Sequence, residues 1–346
     1  MNLAIVGGGL AGALLAWRLT QRPYQLRPDL FVSELSLGAD ATGASGGLIR
    51  AFEADPAQCV DAATSLAELL ADPMLQTWAD YRQVGSVYAL NAGTDPSESL
   101  TTVASAVPGS AQVAAPRDLP ATHPLRLLPD DVVCVIERRA GYLSPQRLRT
   151  SVLRKLAADG LPIHRVPVAE IRPDPAVCLP DGTVAPYDAV VVAVGAWTAL
   201  LLRRSGLPTA GLRTKQIQYT VCRAQLCGVG TFVDETSGLY GRPDEPGTVL
   251  LGLPCDRWDL EPDAAIPDVE LTARVLKQAT MCFGSALTSV FPERVVAAVD
   301  SYADPPGLRL RSILPDSPLY TFTGGSGISA KAALAASRTA AAALVP

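Results

Sequence analysis

Apolar positions along this chain follow two periods, and their alternation sketches the fold. Leu3 to Val6 is an unbroken apolar run, as expected of a strand buried on both faces, and Ala13 to Leu19 follows with Leu14, Leu15 and Leu19 spaced to lie on a sheet. Leu30 to Glu34 reads as a second strand, which closes a βαβ unit. Helical spacing returns over 56–80 and in Leu148, Val152, Leu153 and Leu156, where Ser144 can cap, Pro145 can take the first turn and Gly160 can end the helix. Residues 269–282 and the alanine-rich 330–344 complete the predicted helices. Strand patterns fall at 84–90, 132–136, 163–171, 212–222, 247–253, 292–302 and 319–323, and the charge-free run Ala189 to Val194 suits the interior of a parallel sheet. Residues 91–131, rich in Ser, Pro, Thr and Ala, show weak periodicity and predict loops and short elements.

Composition narrows the function classes. With 346 residues, 48% hydrophobic and 18% charged, the chain can bury a large core and is expected to divide into two lobes. A net charge of −5 leaves no broad cationic surface for phosphates, so nucleic acid is not an expected partner and a small molecule is. Seven scattered cysteines with no CxxC spacing argue for reduced thiols, and two distant histidines, His123 and His164, argue against a metal centre. No apolar run is long enough to span a membrane, and the opening residues read as a buried strand in place of a leader, so the cytoplasm is the expected compartment. Lysines number four, Lys155, Lys215, Lys277 and Lys331, so one beside a motif draws attention.

The chemistry begins at Gly7-x-Gly9-x-x-Gly12, set between a strand and a helix, with Glu34 closing the next strand 22 residues beyond Gly12. Gly7 permits the turn, Gly9 leaves room for a pyrophosphate on the helix N-terminus with Leu10 and Ala11, Gly12 lets helix and sheet approach, and Glu34 can accept hydrogen bonds from ribose hydroxyls. The small-residue loop 38–50 and a second glycine turn near residue 325 suit FAD better than a nicotinamide cofactor.

Six segments in order, IVGGGLAG (5–12), ASGGLIR (44–50), GYLSPQRL (141–148), VVVAVGAW (190–197), LYGRP (239–243) and TGGSG (323–327), make the chain resemble the FAD-dependent D-amino acid oxidase superfamily, which includes glycine oxidase, sarcosine oxidase and D-amino acid dehydrogenase. The resemblance implies an α/β fold: an FAD-binding Rossmann-like domain from 1–80, 138–211 and 300–346, and a mainly antiparallel β-sheet substrate domain from 81–137 and 212–299. It implies that Ala44, Ser45 and Gly46 line the flavin and pyrophosphate, that Val168 holds adenine through its backbone, and that Gly195 to Trp197 close the far side. Gly325, Ser326, Gly327 and Ile328 would present N–H groups beside the electron-accepting ring. Arg50, Tyr240, Arg242 and Lys331 are the implied substrate-positioning residues, with Arg suited to grip a carboxylate.

The implied reaction is oxidation of a C–N bond in an amine, amino acid or cyclic imino acid by hydride transfer to noncovalent FAD, with specialised biosynthesis as one setting. A non-catalytic flavin-binding subunit and an FAD monooxygenase are the alternatives. Three departures from the family pattern stand out. Ser301 to Gly307 lacks the arginine many relatives carry there; the nearest cysteine to that stretch is Cys282; and Thr248 to Gly252 has no lysine to activate oxygen. The electron acceptor is therefore left as O2 or another species.

Overall fold

The computed structural model describes residues 1–33, 40–120, 123–209, 211–224, 228–284 and 290–345. Among these, the apolar runs assemble a six-stranded sheet in the order Arg309–Ser312, Leu319–Thr323, Ala189–Val192, Leu3–Val6, Asp29–Phe31, Ile163–His164. Leu3–Val6 pairs in parallel with Ala189–Val192 on one side and with Asp29–Phe31 on the other, so both charge-free runs are interior. Every residue of those two runs is buried, which is why neither alternates.

Three layers result. Leu3, Ile5, Leu30 and Val191 face helices Leu10–Thr20, Pro56–Ala71, Pro145–Ala158 and Ser329–Leu344, while Ala4, Val6, Phe31, Val190 and Val192 pack beneath Ile171, Val177 and Leu202 of a small antiparallel sheet and a short helix. A second sheet of eight strands runs in the order Phe291–Tyr302, Arg213–Arg223, Thr248–Gly252, Tyr240–Pro243, Thr231–Asp234, Ser86–Ala89, Cys134–Glu137, Ala111–Ala114. All its pairings are antiparallel except Thr231–Asp234 with Ser86–Ala89. Helix Val269–Phe283 covers one face through Val275, Ala279 and Phe283; the other face turns toward the first sheet.

Several elements differ from the sequence pattern for identifiable reasons. The helix predicted over 56–80 is two, because Asp72 accepts from Met74 and Leu75 N–H while Pro73 opens a new first turn. The strand predicted over 163–171 is split into Ile163–His164 in the six-stranded sheet and Glu170–Arg172 in the small one, with Pro167 between them. Helix Ser97–Ala106 rises from the stretch expected to be irregular; it buries only Ser99 and Val103, too few apolar positions to show a period.

The turn joining the first strand and helix depends on missing side chains. Gly7 has φ +125°, and a Cβ there would lie 2.3 Å from the Ala193 carbonyl oxygen; a Cβ on Gly12 would lie 2.0 Å from the Gly7 carbonyl oxygen. Gly12→Ala is expected to cost about 1–3 kcal/mol, since backbone must move; the midpoint of denaturant unfolding measures it, and an unchanged midpoint would show the helix shifts freely.

Candidate active site

Between the two sheets lies a cavity of about 760 Å3. One end is walled by Gly7, Gly8, Gly9, Leu10 and Ala11, with Val168, Gly195 and Trp197 nearby; the middle by Ala44, Ser45, Gly46, Gly327 and Ile328; the far wall by Lys215, Tyr219, Tyr240 and Tyr302 of the eight-stranded sheet. A Cβ on Gly9 would meet only Thr42 Oγ1, at 3.7 Å, so that glycine leaves its space open, and Leu10 N–H donates to the same hydroxyl at 3.2 Å.

Helices Leu10–Thr20 and Ser329–Leu344 both begin at this cavity without a side-chain cap, whereas Pro56–Ala71, Pro73–Ala79 and Val269–Phe283 are capped by Asp55, Asp72 and Asp268. Two helix starts therefore offer N–H groups and partial positive charge to whatever fills it. A diphosphate fits at the first and an electron-accepting ring at the second, so the residues present suit FAD.

The loop between these ends is braced from both sides. Asp40 pairs with buried Arg149 at 2.5 Å and accepts Gly43 N–H at 2.9 Å, tying the loop to helix Pro145–Ala158. Arg242 Nε donates to the Gly46 carbonyl at 2.6 Å; its other nitrogen pairs with Asp244 at 2.8 Å, and the guanidinium lies 4.6 Å over the Tyr142 ring. Arg242, expected to touch substrate, is not in the cavity wall: Nε goes to the Gly46 carbonyl and another nitrogen to the Pro243 carbonyl and Asp244, so it braces Gly46. Gly12, Gly325 and Ser326 are also outside the wall. Gly12 packs beneath Gly7, while the Ser326 N–H and hydroxyl bind the Ser301 carbonyl and Ala303 N–H and so anchor the turn that presents Gly327 and Ile328. Glu34 lies outside the described residues.

Arg50 and Lys331 do reach the cavity, with an unexpected partner. The Glu53 carboxylate stands between them, 2.9 Å from the Arg50 guanidinium and 2.5 Å from Lys331 Nζ, and all three are buried. Arg50 also donates to the Phe52 carbonyl and lies 4.8 Å over the Tyr88 ring. Glu137, 1% exposed, accepts Ala51 and Phe52 N–H and holds the backbone that carries Glu53. Burial pushes the Glu53 carboxyl up, yet Arg50 and Lys331 outweigh it and hold it below the usual range; burial, with Arg50 nearby, pulls Lys331 down to about 8.

The family model for FAD dependent oxidoreductases matches residues 2–343. The chain belongs to this family. The fold agrees: L-proline dehydrogenase from P. horikoshii superposes with a TM-score of 0.81 at 17% identity, covering 99% of this chain and 93% of that one. Iminodiacetate oxidase from Chelativorans sp. BNC1 gives 0.77 at 18% identity, covering 98% and 94%, and glycine oxidase from Geobacillus kaustophilus gives 0.75 at 18%, covering 99% and 94%. Among curated protein sequences none matches. No helix among the described residues is long and apolar enough to cross a membrane.

In this FAD-dependent oxidoreductase the far wall is aromatic. Tyr240 Oη donates to the Gln218 carbonyl at 3.2 Å, and its ring lies where a Cβ on its strand partner Gly252 would be, within 2.3 Å of the hydroxyl. Burial raises the hydroxyl pKa of both Tyr240 and Tyr302, so both stay neutral donors. Cys255, and not Cys282, is the described cysteine in the cavity wall. Sequence reasoning missed Asp40, Glu53, Glu137, Lys215 and Asp300. Glu53 sits three residues after Arg50, a usable pairing signal; the others depend on contacts between distant segments.

Glu53→Gln leaves two cations facing a neutral amide in a buried setting. It is expected to destabilise the FAD-loaded protein by about 3–5 kcal/mol, read from denaturant unfolding; a loss below about 1 kcal/mol would mean that Lys331 gives up its proton, pulled down as it is to about 8, or that water screens the two cations. Arg242→Ala removes a charged donor from the Gly46 carbonyl, and FAD affinity is expected to fall roughly tenfold. Equilibrium titration with FAD checks this, and a changed substrate KM with unchanged FAD affinity would return Arg242 to a substrate role.

Proposed function

We propose that this chain oxidises a C–N bond of an amine, amino acid or cyclic imino acid, with FAD held noncovalently as the hydride acceptor. One observation carries the reading: a single cavity runs from the dinucleotide turn at Gly7 past the second glycine turn at Gly327 to the tyrosine-lined sheet wall, so one end suits a cofactor and the other a small substrate. The named activities of the proline dehydrogenase, iminodiacetate oxidase and glycine oxidase that share the fold support the same bond class.

FAD supplies two-electron redox chemistry when bound. The residues of the chain orient and seclude. Tyr240 and Tyr302 face the cavity from one wall as neutral groups, and the starts of helices Leu10–Thr20 and Ser329–Leu344 stabilise negative charge from the other. Oxidation of the neutral amine to the imine breaks the substrate C–H bond with its electron pair and releases one proton from nitrogen; a substrate bound as its ammonium first gives up a further proton. Glu53 pairs with both Arg50 and Lys331 and cancels one of their two charges, so these cations set the potential of the cavity floor with donors turned to Glu53 and not to a substrate carboxylate.

The purified protein is expected to take up FAD and to lose its yellow colour when an amine or amino acid substrate is added without oxygen. Acid precipitation is expected to release the flavin to the supernatant; flavin retained in the pellet would mean a covalent link, with Cys255 the first residue to replace. A protein that binds FAD and bleaches with no member of an amine, amino acid and imino acid panel would overturn the enzymatic reading and leave a flavin-binding subunit.

A further inference from the structure

Two opposite charges on the sheet wall have no partner in the mechanism so far. Lys215 and Asp300 are register partners on the neighbouring antiparallel strands Arg213–Arg223 and Phe291–Tyr302, so their side chains leave the same face, and both reach the cavity. Charges placed this way ordinarily close on each other. Here they form no ion pair.

Each is held by something else. Lys215 Nζ lies 4.5 Å from the Trp258 ring centre and 5.6 Å from that of Tyr302, two rings that pack edge to face at 5.1 Å, with Trp258 fixed through Nε1 to Asp256 at 2.9 Å. Asp300 accepts Ser301 N–H at 2.8 Å and lies beside the Gly327 backbone, on the second glycine turn. The aromatic cradle holds the ammonium and the turn holds the carboxylate, and the two line the cavity without pairing with each other.

Other charges in the wall are accounted for. Asp40 is paired with Arg149, and Arg50 and Lys331 share Glu53; Asp263 is on an exposed loop and Arg204 is on the helix beside Val168 and Leu200, toward the dinucleotide end. A ligand carrying both charges on adjacent groups satisfies Lys215 and Asp300 together, whereas a simple amine leaves Lys215 without an anion.

We propose that Lys215 and Asp300 hold a zwitterionic α-amino or α-imino acid, Lys215 taking its carboxylate and Asp300 its ammonium. This rests on the amine-oxidising function proposed above and selects one substrate class within it. It also moves the carboxylate anchor from Arg50 and Lys331 to the facing sheet.

The FAD-loaded protein tests this with paired probes, L-proline against pyrrolidine, glycine against methylamine, and D- and L-alanine against ethylamine, followed by flavin absorbance without oxygen. The wild type is expected to favour the carboxylated member of at least one pair. Lys215→Met should reduce that preference at least tenfold, Lys215→Arg should retain it, and Lys215→Gln replaces the Met variant if that one fails to take up FAD. Asp300→Asn should weaken the amino acid at least tenfold relative to its amine-free analogue, for alanine propionate, measured as a competitor. A wild type that bleaches with the amines and shows no preference for their carboxylated partners overturns this assignment alone, as does a preference that survives in Lys215→Met. A flavin that responds to no probe at all overturns the amine-oxidising reading with it.

Discussion

A single carboxylate joins the two ends of this molecule. Glu53 lies just past the glycine-rich loop, and Lys331 opens the last helix, 278 residues later; without the anion between them, Arg50 and Lys331 would be two cations buried within reach of one another. Their mutual repulsion in a poorly solvated interior would force one to give up its proton or the helix to move. Glu137 extends the constraint, since its carboxylate binds the backbone on which Glu53 stands. The floor of the cavity, the loop above it and the start of the last helix are thus one electrostatic unit.

The same unit shows why residue type alone does not fix what these cations do. An arginine at the end of a glycine loop and a lysine after a glycine turn suit a carboxylate ligand, and they have one, supplied internally. What separates a binding cation from a structural one is the position of the compensating acid.

The cofactor end was more legible than the substrate end, for a physical reason. Gly7, Gly9 and Gly12 fall within one strand-turn-helix corner, where Gly12 packs on the Gly7 carbonyl, so their spacing in sequence is also their spacing in space. Lys215 and Asp300 become neighbours through strand register, 85 positions apart, and a shift of one residue would send either side chain to the opposite face. Arg242 shows an intermediate case. Its strand was readable, but its target, the Gly46 carbonyl, lies 196 residues away. Helix Ser97–Ala106 escaped notice because its buried stripe is short and partly polar.

The order of strands in the first sheet carries a consequence for how the molecule folds. Leu3–Val6 lies between Asp29–Phe31 and Ala189–Val192, and the latter takes Leu319–Thr323 on its other side. The sheet beneath the nucleotide cradle therefore closes only through pairings between segments far apart in sequence, which are slow to form. Loading of the coenzyme accordingly waits on assembly of the whole six-stranded sheet.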